Sequence, residues 1–182
     1  KSRVAVVIDA SNIVELLLTT LENTIGEFLV EKNILAISLS VQGNVDTLQG
    51  VALYLTFVPT WRNLKLKQAV EERFNIPAFV FHDPDCVLIA EKYFGDAFNE
   101  SYKNVITLNT NYAIGMSLMI NSKIYSSSNG RSGEIGHITV VPDGALCSCG
   151  KRGCLEEYAT KAGIINRFME AIDNGEATAV DV

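Results

Sequence analysis

Apolar residues along this chain fall either in short unbroken runs or at helical spacing, and the two patterns take turns. Val4-Ala5-Val6-Val7-Ile8 is a valine-rich run, as in a strand covered on both faces. Asn12 to Leu21, with its leucine run, reads as a second strand. Thr24 to Lys32 carries Ile25, Phe28 and Leu29 at helical spacing, and Ile34 to Val41 is a strand that stops at Gly43. An irregular stretch with Gly50, Pro59 and Trp61 follows. Asn63 to Phe74 predicts a helix, with Leu66, Ala69, Val70 and Phe74 on one face and Lys65, Lys67, Glu71 and Glu72 mostly outside. Ile76 to Phe81 is a strand that tolerates Pro77 near its start. Asp83 and Pro84 have the form of an N-cap and a first-turn proline, and Gly95 ends the helix they open.

Further strands are expected at Val105–Leu108, Met116–Ile120 and Ile138–Val141, with Asn121-Ser122-Lys123 as a hairpin turn. A last helix starts near Leu155, spaces Tyr158, Ala162, Ile165, Phe168, Met169 and Ile172 helically, and ends at Asn174-Gly175-Glu176. Strands alternating with helices indicate an α/β fold. The polar stretch Asp96 to Lys103 reads as a hinge, which divides the chain into an N-terminal lobe, 1–98, and a C-terminal lobe, 99–182.

Composition narrows the partners. With 182 residues, 48% hydrophobic and 20% charged, the chain has material for a packed core. A net charge of -6 makes it a poor nucleic-acid binder by itself. No apolar run approaches the roughly 18 residues of a spanning helix, so no membrane partner is expected. Three of the four cysteines cluster at ligand spacing while Cys86 stands apart, which suggests a reducing, cytoplasmic location.

Those three cysteines carry the most informative chemistry. His137, Cys147, Cys149 and Cys154 form a His-x9-Cys-x-Cys-x4-Cys array. Three thiolates and one imidazole suit Zn²⁺ in a closed, structural site with no open position for water. The alternative, small buried hydrophobes beside a core histidine, fits poorly with the polar, glycine-rich loop around Ser148, Gly150, Lys151, Arg152 and Gly153. Glu134 and Glu156 flank the array. A carboxylate accepts two hydroxyl hydrogen bonds, which suits a polyol, and the imidazole nitrogen off the metal adds a further contact. Both residues also suit ordinary roles, as a solvated surface acid and a helix-start acid. Asp83 follows a strand and opens a helix, where ligand sites of open α/β sheets lie; a helix cap by itself explains the residue fully, and the two roles are not exclusive. Phosphate cradles need glycines, because side chains block close backbone approach. Asp9-Ala10-Ser11-Asn12 has none, and Asn111-Tyr112-Ala113-Ile114-Gly115 has one. No ATP is therefore expected.

Together these residues resemble the ROK family of repressors, open reading frames and kinases. Gly133-Glu134-Ile135-Gly136-His137 with Cys147-x-Cys149-Gly150-x-x-Gly153-Cys154-Leu155-Glu156 is similar to the family signature, and Val41-Gln42-Gly43-Asn44-Val45-Asp46 to its glycine turn. His82-Asp83 stands where family kinases carry Asn-Asp, whose aspartate is the catalytic base. The resemblance implies a two-lobed actin-like ATPase (ribonuclease H-like) fold, of which this chain is a fragment. It implies zinc on His137, Cys147, Cys149 and Cys154, and sugar contacts from Glu134, His137, Glu156, Asp83 and His82. The degenerate phosphate loops and His82 point to the repressor branch, of NagC/XylR type. The implied function is a sugar or sugar-phosphate effector domain, homodimeric or homotetrameric, reaching DNA only through an N-terminal helix-turn-helix that this sequence lacks. The alternative is an ATP-dependent sugar kinase, glucokinase-like, with Asp83 as base.

Overall fold

The computed structural model describes residues 12–30, 34–55, 61–95, 101–110, 112–127 and 132–176. The expected strand Val4–Ile8 lies outside them. The described residues fall into two compact units, one within Lys1–Cys86 and Ser126–Arg131, the other within Val87–Tyr125 and Ser132–Val182.

The first unit opens with helix α1 (Ile13–Val30). Asn12 to Leu21 is thus helical and not a strand, and the helix expected from Thr24 is its continuation. The reason is periodicity. Val14, Leu18, Leu21 and Ile25 repeat every three or four residues, so they share one face of a helix but would scatter over both faces of a strand. That face packs on Ile37, Val70 and Ala78. Strand β1 (Ile37–Val41) begins later than expected. After it, β2 (Asn44–Asp46), β3 (Val51–Tyr54) and β4 (Arg62–Leu64) form an antiparallel meander. Asn63, the expected start of a helix, lies instead in β4 with φ +54, and helix α2 (Leu66–Phe74) starts beyond it. Helix α2 closes on Asn75, a left-handed cap whose N–H donates to the Glu71 carbonyl at 2.9 Å.

Strand β5 (Ala78–His82) then pairs in parallel with β1, Ile37 opposite Ala78 and Val41 opposite His82. A parallel pair needs a crossover, and the meander and α2 supply it. Val45, Ala52, Leu66 and Val80 form a second buried cluster of this unit. Helix α3 (Asp83–Phe94) follows β5 with no intervening loop, so His82 and Asp83 sit at a strand-to-helix junction.

In the second unit β6 (Val105–Thr110), β7 (Ile114–Ile120) and β8 (Lys123–Ile124) make an antiparallel sheet. Asn121 and Ser122, at φ +49 and +66, form the two-residue turn between β7 and β8. The expected strand Ile138–Val141 does not form: these residues make only an isolated bridge, Thr139 to Cys154. The N–H groups of Val140 and Val141 both turn to the Gly153 carbonyl, at 2.8 and 3.2 Å. Their conformation is set by the cysteine loop beside them, not by a sheet partner. The single helix expected from Leu155 is two, α4 (Glu156–Ala159) and α5 (Lys161–Asp173). Thr160 separates them with an extended backbone, φ -79 and ψ 163. Its hydroxyl donates to the Glu156 carbonyl at 2.7 Å and accepts from the Gly163 N–H at 3.1 Å. Among the described residues no helix is long and apolar enough to cross a membrane.

Candidate functional site

His137 ends a short 3-10 turn, Ile135–His137, that lies against β7. The Gly133 carbonyl accepts from the Met116 N–H at 3.1 Å and from the Ile135 N–H at 2.8 Å, which pins the start of the turn. Gly136 is buried, and a Cβ there would stand 2.6 Å from the Ile114 carbonyl oxygen. Only glycine lets the turn approach the strand so closely. The cysteines come from a loop folded tightly on itself. The Gly150 N–H donates to the Cys147 carbonyl at 2.9 Å, the Cys147 N–H to the Lys151 carbonyl at 2.8 Å, and the Gly153 N–H to the Ala145 carbonyl at 2.8 Å. Tyr158, on α4, anchors this loop by accepting the Ala145 N–H at 2.8 Å.

The ligand atoms of His137, Cys147, Cys149 and Cys154 all lie within 4.8 Å of one another. Their spacing can be tested against a metal. Zn–S bonds of about 2.3 Å and a Zn–N bond of about 2.0 Å at tetrahedral angles require S···S of about 3.8 Å and S···N of about 3.5 Å. Cys149 and Cys154 Sγ are 3.7 Å apart, and Cys147 Sγ is 3.5 Å from His137 Nδ1. The residues therefore fit a tetrahedral ion. Burial pushes the Cys147 and Cys154 thiols up from their ordinary pKa. For Cys149 burial also disfavours the thiolate, but the Lys151 backbone hydrogen bond and the neighbouring thiols outweigh it and bring the value down. Three thiolates this close need a cation to be ionised together. A second cluster, Cys147 with Glu156 and Glu157, shares Cys147 with the first, so the two cannot be filled at once. The three-sulfur set is the better match for a soft cation.

The imidazole is shared between two surroundings. Nδ1 faces the sulfurs, while Nε2 lies 3.7 Å from Glu134 Oε2. Glu156 Oε1 lies 3.3 Å from Nδ1 and accepts from Cys147 Sγ at 3.0 Å. Glu134 is 35% exposed and Glu156 11%. The two acids thus stand around His137 with different access to solvent. The Lys151 ammonium is engaged by the His137 carbonyl at 2.6 Å.

His82 and Asp83 belong to the first unit, with His82 Nε2 3.7 Å from Asp83 Oδ1. Burial raises the Asp83 pKa above its ordinary value, against the opposing pull of His82 and a hydrogen bond with Gln42. Asp83 borders a cavity of about 520 Å³ whose described lining includes Ile13, Leu17, Leu55, Trp61 and Leu64, with Ser40 and Gln42. Sequence reasoning did not single out Gln42, Ser40 or Trp61 as site residues. Pairing of β1 with β5 brings Gln42 beside Asp83, and nothing local announces that. The one tryptophan of the chain, after Pro59, was the only available signal for Trp61.

The family model of the ROK family matches residues 5–180. The xylose repressor of Bacillus subtilis (strain 168) is 33% identical over 138 residues, 75% of this chain and 34% of that protein. The DNA-binding transcriptional dual regulator NagC of Escherichia coli (strain K12) is 35% identical over 149 residues, 82% of this chain and 36% of that protein. The chain therefore spans about a third of these relatives' length. Among solved structures, a ROK family transcriptional regulator described as a homolog of the E. coli MLC protein superposes with TM-score 0.81 at 25% identity, over 94% of this chain and 43% of that one. A ROK family glucokinase from Streptomyces griseus, in complex with glucose and AMPPNP, superposes with TM-score 0.74 at 27% identity, over 91% of this chain and 51% of that one.

Proposed function

This chain belongs to the ROK family, with the α/β actin-like ATPase fold of its sugar kinases, and from that premise we propose that it is the sugar-sensing part of a transcriptional repressor. In this reading zinc is held by His137, Cys147, Cys149 and Cys154 and has a structural role. When bound it neutralises the thiolates and fixes the ring of His137. Nε2 of His137, Glu134 and Glu156 then accept or donate hydrogen bonds to sugar hydroxyls. Asp83, with His82 beside it, contacts the sugar from the N-terminal lobe, with the lobes dividing near residue 98. The effector is a sugar or sugar phosphate. Its binding passes to a DNA-binding segment of the longer protein, a cytoplasmic homodimer or homotetramer. Such coupling requires that the sugar bind the DNA-free state more tightly than the DNA-bound one.

The observation that carries this reading is the divided imidazole of His137, one nitrogen among the sulfurs and the other beside Glu134. Repressors among the relatives support the regulatory role. Calorimetric titration of the full-length, zinc-loaded protein with monosaccharides and their phosphates tests it. Binding is expected for at least one ligand, lost in Glu134→Ala and Glu156→Ala with zinc content unchanged. No binding across the panel, or binding indifferent to both substitutions, overturns it.

The likeness to the glucokinase keeps one second reading in view, an ATP-dependent kinase with Asp83 as base. The glycine-poor stretches Asp9–Asn12 and Asn111–Gly115 oppose it. ATP turnover that Asp83→Asn abolishes would establish it, and no nucleotide binding at millimolar ATP would dismiss it.

A further inference from the structure

The cysteine loop sorts its sulfurs by access to solvent. Cys147 and Cys154 are 3% and 0% exposed. Cys149 is exposed, and so are its loop neighbours Ser148, Gly150, Lys151 and Arg152. A Cβ added to Gly150 would meet nothing within 4 Å, so the tip of the loop is open to a small solute. Cys149 Sγ also lies 3.7 Å from Cys154 Sγ. A disulfide needs about 2.05 Å, and a turn of the exposed Cys149 side chain about its Cα–Cβ bond covers the difference. Cys154 need not move. It is tied by its bridge to Thr139 and by the Leu155 N–H, which donates to the Ile138 carbonyl at 2.9 Å. Cys147 is engaged elsewhere: its Sγ lies 3.0 Å from Glu156 Oε1 and 3.5 Å from His137 Nδ1. The pair placed to join is therefore Cys149 with Cys154.

Taking the zinc and sugar contacts of the reading above as given, on which this step rests, we propose that Cys149 and Cys154 form a peroxide-sensitive pair whose oxidation releases the metal and switches off sugar binding. The Cys149 sulfur attacks one oxygen of hydrogen peroxide. An S–O bond forms, the O–O bond breaks, and hydroxide leaves and takes a proton from solvent to become water. The Cys154 sulfur then attacks the sulfenic acid. The S–S bond forms, the S–O bond breaks, and a second hydroxide leaves as water with a second proton. The two sulfurs give up two electrons in all, and the peroxide takes them. Cys147 and His137 remain, two ligands where a structural zinc takes four. With the ion gone, the His137 ring loses its anchor, and the geometry it shares with Glu134 and Glu156 goes with it. A thiol reductant reverses the step and lets zinc return.

The test treats full-length, zinc-loaded protein with a few equivalents of hydrogen peroxide. Released zinc is followed with a chromogenic chelator, disulfides by peptide mass mapping, and sugar affinity by calorimetry. About one zinc per chain should be released, together with one new disulfide. Trypsin cuts after Lys151 and Arg152, so a bond from Cys154 joins two peptides while one between Cys147 and Cys149 stays within a single peptide. Fragmentation should place the bond at Cys149. Sugar affinity should fall by about tenfold or more, and return with dithiothreitol and zinc. Cys86→Ser removes the one cysteine outside the array and should release zinc as the parent does. Cys149→His keeps four ligands without the reactive sulfur and should hold its zinc under peroxide; the parent and Cys86→Ser decide the question even where that variant binds no metal. Zinc that stays bound under peroxide, zinc lost without a disulfide, or a bond through Cys147 overturns the assignment. Oxidation with unchanged sugar affinity overturns the switch and leaves sugar sensing standing. Silence from every sugar before oxidation overturns the sugar-sensing reading, while zinc release and peptide mapping still judge the sulfur pair.

Discussion

Gly153→Ala should be among the most damaging single-methyl changes in the chain. Gly153 has φ +75, where an L side chain is strained by about 1–2 kcal/mol. Its new Cβ would fall on the Val141 carbonyl oxygen and 2.6 Å from the Val141 carbonyl carbon. Both are backbone atoms and cannot swing aside as a side chain could. Relief requires pulling the two segments of the loop apart. That motion strains the bonds from Val140 and Val141 N–H to the Gly153 carbonyl, and from Gly153 N–H to the Ala145 carbonyl. At about 1 kcal/mol each, losing two of them brings the total to roughly 3–4 kcal/mol. Gly150→Ala is the control. Gly150 has φ +87 but nothing within 4 Å of its Cβ, so only strain of about 1–2 kcal/mol applies. For a chain of this size 1 kcal/mol moves Tm by about 2–4 °C. Thermal unfolding in excess zinc should therefore place Gly153→Ala about 10 °C below the parent and Gly150→Ala only a few degrees below. Equal losses in the two variants would refute the steric argument.

Thr160→Ala should cost about 1–2 kcal/mol in chemical unfolding, because the residue caps α5 and ties back to Glu156; a change within about 0.5 kcal/mol would contradict that role. Cys149→Ser, or a strong chelator, should lower stability by several kcal/mol if metal binding is part of folding, and an unchanged midpoint would count against a structural metal. Asp83 has its pKa raised in the native state, chiefly by burial. The native protein then binds more protons than the unfolded chain as pH rises from the carboxylate's ordinary 3.8 to the raised native value. Stability from this group is present at low pH and lost as pH climbs through that window. Asp83→Asn should remove that decline in pH-dependent unfolding curves; a steeper decline would reverse the assignment.

The clustering of His137, Cys147, Cys149 and Cys154 was legible because its chemistry is local. Soft ligands at short spacing in a glycine-rich loop suit few roles besides holding a cation, and Gly133 and Gly136 sit where the backbone must turn or approach closely. The α/β alternation was legible for the same reason around Leu66–Phe74, where the helical stripe is clean. Helix α1 was misread because Val14 to Leu18 is dense enough in apolar residues to fit either period. Only the longer repeat through Leu18, Leu21 and Ile25, the face that packs on Ile37 and Val70, separates helix from strand. Ile138 to Val141 looks like a strand by composition. Strand formation needs an unpaired neighbour, and here the Gly153 carbonyl takes the N–H groups first. The break at Thr160 carried a signal, a threonine three residues before a glycine, that helical spacing on both sides concealed. The cavity beside Asp83 was not legible at all, since residues as distant as Ile13, Gln42, Trp61 and Asp83 meet only through the fold.

The centre of the account is a zinc ion on His137, Cys147, Cys149 and Cys154. X-ray absorption at the zinc edge, with metal content measured on freshly purified full-length protein, tests it most directly. The expected result is one zinc per chain, surrounded by three sulfurs at about 2.3 Å and one nitrogen at about 2.0 Å. A protein that folds without metal, or a zinc surrounded by oxygen and nitrogen alone, would contradict it.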